Sequence, residues 1–325
     1  MDNSKLRDFI KDALPKVKIL VLGDVMLDIY YYGEVKRISP EAPVPITHVL
    51  SQKETLGGAA NVAHNLALLG AKVNMAGFIG NDAHGESIVG KFEALNADIS
   101  GLIATDSPTT AKIRVIGGHQ QMLRLDFEDV SPPKSEFSDK IKEYIADTVA
   151  DGVDAIIISD YAKGLVTEDI ASFAIKAARD VGIAAIVDPK GVKWEKYKGA
   201  DFITPNLKEL NEVILENVKN EDSEIEQAAY QVMRRFELKN IIVTRSSKGL
   251  SLVTDATVTH IRATAREVFD VSGAGDTVIA VFAAAIAGGL KPTDAAYLSN
   301  LAASVVVGKL GTYALKREEL LEVLQ

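Results

Sequence analysis

The chain has 325 residues, 47% hydrophobic and 25% charged, so it can bury a large core. A net charge of −9 argues against general attraction to nucleic acid or to an anionic membrane surface. The absence of cysteine excludes disulfides, thiolate metal sites and a cysteine nucleophile. The charged start, MDNSKLRDFIKDALPK, has no apolar signal-peptide core, and the longest apolar stretch, 278–290, is too short for a bilayer, which takes about 20 residues. A cytoplasmic protein with no membrane association is the expectation.

Along the chain, short β-branched runs read as strands buried on both faces: KILVL (18–22), VNMAGFI (73–79), AIIIS (155–159), AAIVD (184–188), DFIT (201–204) and NIIVT (240–244). Helical periodicity lies between them, as at 137–149 and 224–236. The alternation predicts a three-layer α/β fold over 1–325, a mostly parallel sheet with helices on both faces. Two segments break the rhythm. In 29–50, IYYYGEV and VPITHVL flank a Pro-rich bend. In 109–127, Lys112 and Arg114 alternate with Ile113 and Val115, Gly117-Gly118 turns, and 122–127 alternates again, the pattern of a hairpin. These four short strands predict a small β-sheet lid; two surface hairpins without a role are the alternative. Exposed edges on such a lid invite a homodimer by strand pairing.

Three glycine-rich or polar turns carry chemistry. In FDVSGAGDTVIAVFAAAIAGG (269–289), Gly273-Ala274-Gly275 leads into a helix of small residues. The free N–H groups of such a helix start form an anion hole fit for a phosphoryl group in flight. Asp276 beside it would repel phosphate, but makes sense as a base that deprotonates an attacking hydroxyl. A plain Asp near a helix start is the alternative. In LGGAANVAHNLALLG (56–70), Gly57 and Gly58 open a helix, and Asn61 can donate to and accept from sugar hydroxyls. In TPNLKELN (204–211), Asn206 and Glu209 share one face of a first turn, where they can orient water around Mg2+ bridging ATP phosphates or form a simple capping box.

The order of these turns resembles the ribokinase-like, or phosphofructokinase-B-type, carbohydrate kinases. GGAANVAHNLALLG is similar to their sugar-side signature, DVSGAGD to their C-terminal signature, NLKE to their Asn-x-x-Glu motif, and GNDAHGESIVGKFEALNADIS (80–100) to a further segment. Within the family, GDVMLDIYYYGEVKRISPEAPVPI (23–46), ISDYAKGLVT (158–167), VDPKG (187–191) and VVVGKLGTYAL (305–315) resemble the D-glycero-D-manno-heptose-7-phosphate kinases. The resemblance implies ATP-dependent phosphorylation of the anomeric hydroxyl of a heptose 7-phosphate, with Asp276 as base and the Gly273, Ala274 and Gly275 amides as anion hole. It places ATP on the Asn206-Leu207-Lys208-Glu209 turn, on Thr244, Ser246 and Gly249, and on Asn300, with magnesium held through water by Asn206 and Glu209. Ser246 departs from a common family glycine. Asp28, Gly57, Gly58 and Asn61 would grip the sugar. Arg37, Arg114, Arg124, Lys163 and Lys190 are candidates for the 7-phosphate. Another sugar or sugar phosphate as substrate, or an inactive sugar-binding regulator, are the alternatives. The kinases of this group are often fused to a nucleotidyltransferase. Here the sequence ends ten residues after VVVGKLGTYAL with no His-x-Gly-His motif, so the kinase alone is expected.

GESIVGKF (85–92) nearly fits a phosphate-binding loop, but Phe92 stands where a magnesium-binding hydroxyl is needed, and an amphipathic helix is expected instead. The five histidines show no metal-ligand spacing.

Overall fold

The computed structural model describes residues 2–265 and 267–325. Its strands are β1 (Lys18–Gly23), β2 (Val25–Ile38), β3 (Pro45–Gly58), β4 (Lys72–Gly80), β5 (Asp98–Thr105), β6 (Ala111–Gly117), β7 (Gln120–Phe127), β8 (Ala155–Ser159), β9 (Ala184–Asp188), β10 (Phe202–Ile203), β11 (Asn240–Thr244), β12 (Leu250–Thr254) and β13 (Val258–Ile261). Nine of them form one sheet in the order β13-β12-β11-β10-β9-β8-β1-β4-β5. The run from β11 to β5 is parallel, and β12 and β13 add antiparallel strands at one edge.

The six apolar runs all became strands of this sheet, because each is covered on both faces. In β1, Ile19 and Val21 enter one core while Leu20 and Leu22 enter the other; in β8, Ile157 and Ile158 divide in the same way. Each such side chain contributes roughly 1.5–3 kcal/mol by leaving water. Helices Ala59–Leu69, Ala274–Ala287 and Pro292–Val306 cover the first face, and Ser135–Ala150, Glu168–Val181 and Asp222–Phe236 the second. Strands β5, β12 and β13 were not among the apolar runs. The near-phosphate-loop segment lies in helix Ala83–Glu93, capped by the Asp82 carboxylate on the Gly85 amide.

A second sheet, order β3-β2-β6-β7, stands beside the first. Its strands β2 and β3 run further than the 29–50 segment, because Val25–Leu27 and Leu56–Gly58 are buried where the sheet roots in the main body. The register places Asp28 opposite Lys112, Tyr30 opposite Arg114, Lys112 opposite Asp126 and Arg114 opposite Arg124. Alternation therefore puts these six residues on one face.

Chain connection decides where a site can form. From β1 the chain goes to β4 on one side, and from β5 it crosses to β8 on the other. The crevice at the C-terminal ends of β1 and β8 is thus a switch point, the usual ligand position in an open α/β sheet.

Candidate active site

Helix Ala274–Ala287 starts at Gly273, whose φ of +79° strains any residue with a side chain. A Cβ there would also stand 3.0 Å from Asn61 Nδ2. Asp276 lies in the first turn, buried, and its carboxylate is held from two sides. Asn61 Nδ2 donates to Oδ2 at 2.7 Å, and the Tyr161 hydroxyl donates to Oδ1 at 2.5 Å. Burial pushes the Asp276 carboxyl above its ordinary range, while these two hydrogen bonds pull it back. Asn61 is itself fixed, since Asn65 Nδ2 donates to its carbonyl at 2.8 Å and Asn65 Oδ1 accepts from the Leu315 amide at 2.9 Å. The glycine turn before helix Ala59–Leu69 is needed for the same approach: Gly58 has φ +56°, and a Cβ there would meet the Asp24 carbonyl at 2.6 Å.

Beside the Gly273–Asp276 turn lies a cavity of about 720 Å³. Its walls include Ala274 and Gly275 at the helix start, Asn206, Leu207 and Lys208 after β10, Thr244 at the end of β11, and Ser246 and Gly249 after it. Asn300 lines it from helix Pro292–Val306, its amide on the Arg262 carbonyl at 2.9 Å. Ser246 adopts φ +54°, the left-handed conformation that a glycine takes without strain. The loop is stiffened from behind by Arg245, a fully buried guanidinium on Asn220, Asp222 and Ser251.

Asn206 and Glu209 form a full capping box: Asn206 Oδ1 accepts from the Glu209 amide at 2.9 Å and Glu209 Oε2 from the Asn206 amide at 3.0 Å. Glu209 Oε1 accepts from Lys190 Nζ at 2.8 Å. Burial holds the nearby Asp188 carboxyl well above its ordinary range, and the charges of Glu209 and Asp276 add to this. These hard oxygen donors, opposed by Lys190, fit a divalent cation beside phosphate. Among the described residues no three His, Asp or Glu side chains cluster as a metal cage.

Asp28 is buried and takes Arg114 NH1 at 2.6 Å on Oδ1 and the Thr312 hydroxyl at 3.3 Å on Oδ2. Gly57 lies against it: a Cβ there would stand 2.5 Å from Asp28 Oδ2. The candidate cations separate. Arg114 joins the site over the Tyr30 ring. Arg124 turns to Asp126 and Lys163 to Glu128. Lys190 pairs with Glu209 after β10, apart from Asp28 and Arg114. Arg37 is exposed nine residues beyond Asp28 on β2, roughly 30 Å at strand spacing, and does not reach the site of its own chain.

Three residues escaped the sequence reading. Asp24, buried after β1, accepts the amides of Tyr161, Lys163 and Leu165 and so shapes the loop that carries Tyr161. Tyr161 itself stood in ISDYAKG with nothing to mark its direction. Lys112 was visible as a same-face neighbour of Arg114. Its Nζ lies 5.7 Å from the centre of the Tyr161 ring, and among the described residues no carboxylate pairs with it. Burial lowers its pKa, as do the charges of Lys163, Arg124 and Arg114, while Asp28 opposes them.

Known proteins are similar to this chain in sequence and in fold. Bifunctional protein HldE of Methylobacillus flagellatus is 45% identical over 310 residues, 95% of this chain and 63% of its own length. The HldE of Shewanella piezotolerans is 43% identical over 319 residues, 97% of this chain and 65% of its own length. The chain thus spans under two thirds of these relatives. Among solved structures, Arabidopsis thaliana ribokinase complexed with ribose and ATP superposes with a TM-score of 0.72 at 20% identity, covering 95% of this chain and 99% of that one. Escherichia coli phosphofructokinase-2 does so with a TM-score of 0.77 at 17% identity, covering 95% and 98%. These two share the ribokinase-like fold. Residues 16–319 match the pfkB family carbohydrate kinase pattern. The chain belongs to that family and is a sugar kinase.

Proposed function

We propose that the protein transfers the ATP γ-phosphoryl group to the anomeric hydroxyl of D-glycero-D-manno-heptose 7-phosphate, giving the 1,7-bisphosphate for nucleotide-activated heptose synthesis. Support for the heptose comes from the similarity to the HldE proteins and from the sequence segments around Asp28, Tyr161 and Lys190. The observation that carries a phosphorylated sugar is Lys112: its neighbours Arg114, Arg124 and Lys163 pair with Asp28, Asp126 and Glu128, whereas among the described residues no carboxylate pairs with Lys112. A phosphate in an otherwise acidic protein needs such an uncompensated cation.

In this reading the sugar lies between Asp28, Asn61 and Asp276, and ATP fills the 720 Å³ cavity. Asp276 takes the proton of the attacking hydroxyl. The amides at Gly273, Ala274 and Gly275 receive the transferring group, aided by the helix dipole. Asn206 and Glu209 would hold magnesium through water, and the ion when bound neutralises charge on the terminal phosphates. The second sheet acts as a lid over the sugar, and its outer face joins two copies into a dimer.

The deciding experiment offers ATP with the α and β anomers of D-glycero-D-manno-heptose 7-phosphate, and with fructose 6-phosphate and unphosphorylated sugars. A kcat/KM for one heptose anomer at least a hundredfold above the rest is expected. Preference for another sugar, or no turnover of any, overturns the reading.

A further inference from the structure

The carboxylate read as the base is clamped by a residue that takes no proton in the transfer itself. Tyr161 enters from the loop after β8, between Lys112 on the second sheet and Asp276 at the helix start. Its amide donates to Asp24 Oδ2 at 2.8 Å, so the loop is tied to the end of β1 before the side chain reaches across. Asp24 is buried and takes two further amides of the same loop. The hydroxyl then meets Asp276 Oδ1 at 2.5 Å while Asn61 meets Oδ2 at 2.7 Å. One donor on each oxygen stops rotation of the carboxylate. Each oxygen keeps a second lone pair, so the sugar hydroxyl can still be accepted.

We propose that Tyr161 is a positioning residue for the kinase reaction: its hydroxyl, opposite the Asn61 amide, fixes the Asp276 carboxylate in its proton-accepting orientation and favours its ionised form. This rests on the reading of Asp276 as the base. Three facts make the hydroxyl more than core filling. It is aimed at the one carboxylate of the helix start, it is held there by a purpose-shaped loop, and it lies at the sheet's switch point, where ligands bind. It stays a donor, because burial and the charge of Asp276 raise its own pKa well above the ordinary tyrosine value. The other charged groups that bear on Asp276 are Asp28 on β2, Lys112 on β6 and Asp188 at the end of β9. None of them changes in a Tyr161 variant.

The test compares wild type, Tyr161→Phe and Asp276→Asn in kcat, in KM for ATP and sugar phosphate, and in the acid limb of the kcat–pH profile. The substrate's own phosphate titration is common to wild type and Tyr161→Phe and cancels between them. Loss of a hydrogen bond to the ionised form raises the base's pKa, so the acid limb moves to higher pH. Tyr161→Phe is expected to move it up by about one unit and to lower kcat about tenfold, with KM for ATP within twofold. A 3-fluorotyrosine at 161 keeps the shape, is a stronger donor, and is expected to move the limb down. It decides the matter alone should the phenylalanine variant not fold. If Asp276→Asn is inactive yet the limb stays put in the Tyr161 variants, Tyr161 has only a packing role and the proposal falls. If Asp276→Asn keeps more than half of wild-type kcat, the base reading itself falls.

Discussion

Arg114 on β6 donates to Asp28 on β2 at 2.6 Å, so a half-buried cation and a buried carboxylate on neighbouring strands of the second sheet form one ion pair. The pair lies largely out of water, unlike Arg124–Asp126, where the guanidinium is 45% exposed. A mostly exposed pair contributes little, whereas removing one partner of a buried pair leaves an uncompensated charge. Arg114→Ala should raise KM for the sugar phosphate about tenfold to a hundredfold and leave KM for ATP within twofold. Arg124→Ala should change it less, and Lys112→Ala should resemble Arg114→Ala. High salt should weaken sugar-phosphate binding in the wild type more than in Arg114→Ala. Equal KM values in all four proteins would remove these cations from the phosphate.

Asp276→Asn keeps the shape and one acceptor oxygen for the Asn61 amide, but its NH2 faces the Tyr161 hydroxyl as a donor and it cannot take a proton. Steady-state assays should show kcat reduced about 10²–10⁴-fold, with ATP affinity by calorimetry nearly unchanged.

Closure of the second sheet has its own signature. Heptose 7-phosphate should slow amide exchange in 29–50 and 109–127 more than ATP does, since Asp28, Tyr30 and Arg114 all lie on its inward face. Exchange there that ignores the sugar phosphate would end the lid reading.

The outward face of that sheet bears Val35, Val49, Leu123, Leu125 and Phe127, each at least 38% exposed. Register places them on one side, Val35, Val49 and Leu123 toward the sheet's free end and Leu125 and Phe127 nearer its root. Equilibrium sedimentation of the wild type should give a dimer, and Leu123→Glu with Leu125→Glu a monomer. A wild-type monomer at micromolar concentration would dismiss the dimer.

His64 offers a stability test. Burial pushes it down to about 4 from an ordinary 6.5. Protons then bind the unfolded chain first, so stability is full above pH 6.5 and falls as pH drops toward 4. His64→Gln should flatten Tm against pH in that window; an unchanged slope would mean that other groups cause it.

Much of the architecture could be read from residues. The central strands announce themselves because both faces are buried, which removes polar positions from the run. Strand β5 is partly exposed and interrupts its apolar pattern with Ser100 and Gly101, β12 breaks its apolar run with Ser251, and β13 is a short edge strand. That the Asn61 and Asp276 helix starts come together was legible from their glycine turns, because few residue types tolerate so close an approach of backbone. Tyr161 was not, since its role depends on where one loop aims one side chain. The pairing of Arg124 with Asp126 follows from their i, i+2 spacing on a strand, whereas the lack of a partner for Lys112 is a property of neighbours far away in sequence.

Asp24 ties β1 to the loop after β8 across 137 to 141 residues of chain. Closing so long a loop is slow compared with forming local helices. A refolding intermediate in which β8 has not yet docked beside β1 has helical signal but no oriented Asp276. Recovery of enzyme activity on refolding therefore times the closing of the sheet's centre, and should lag behind the return of helical circular dichroism.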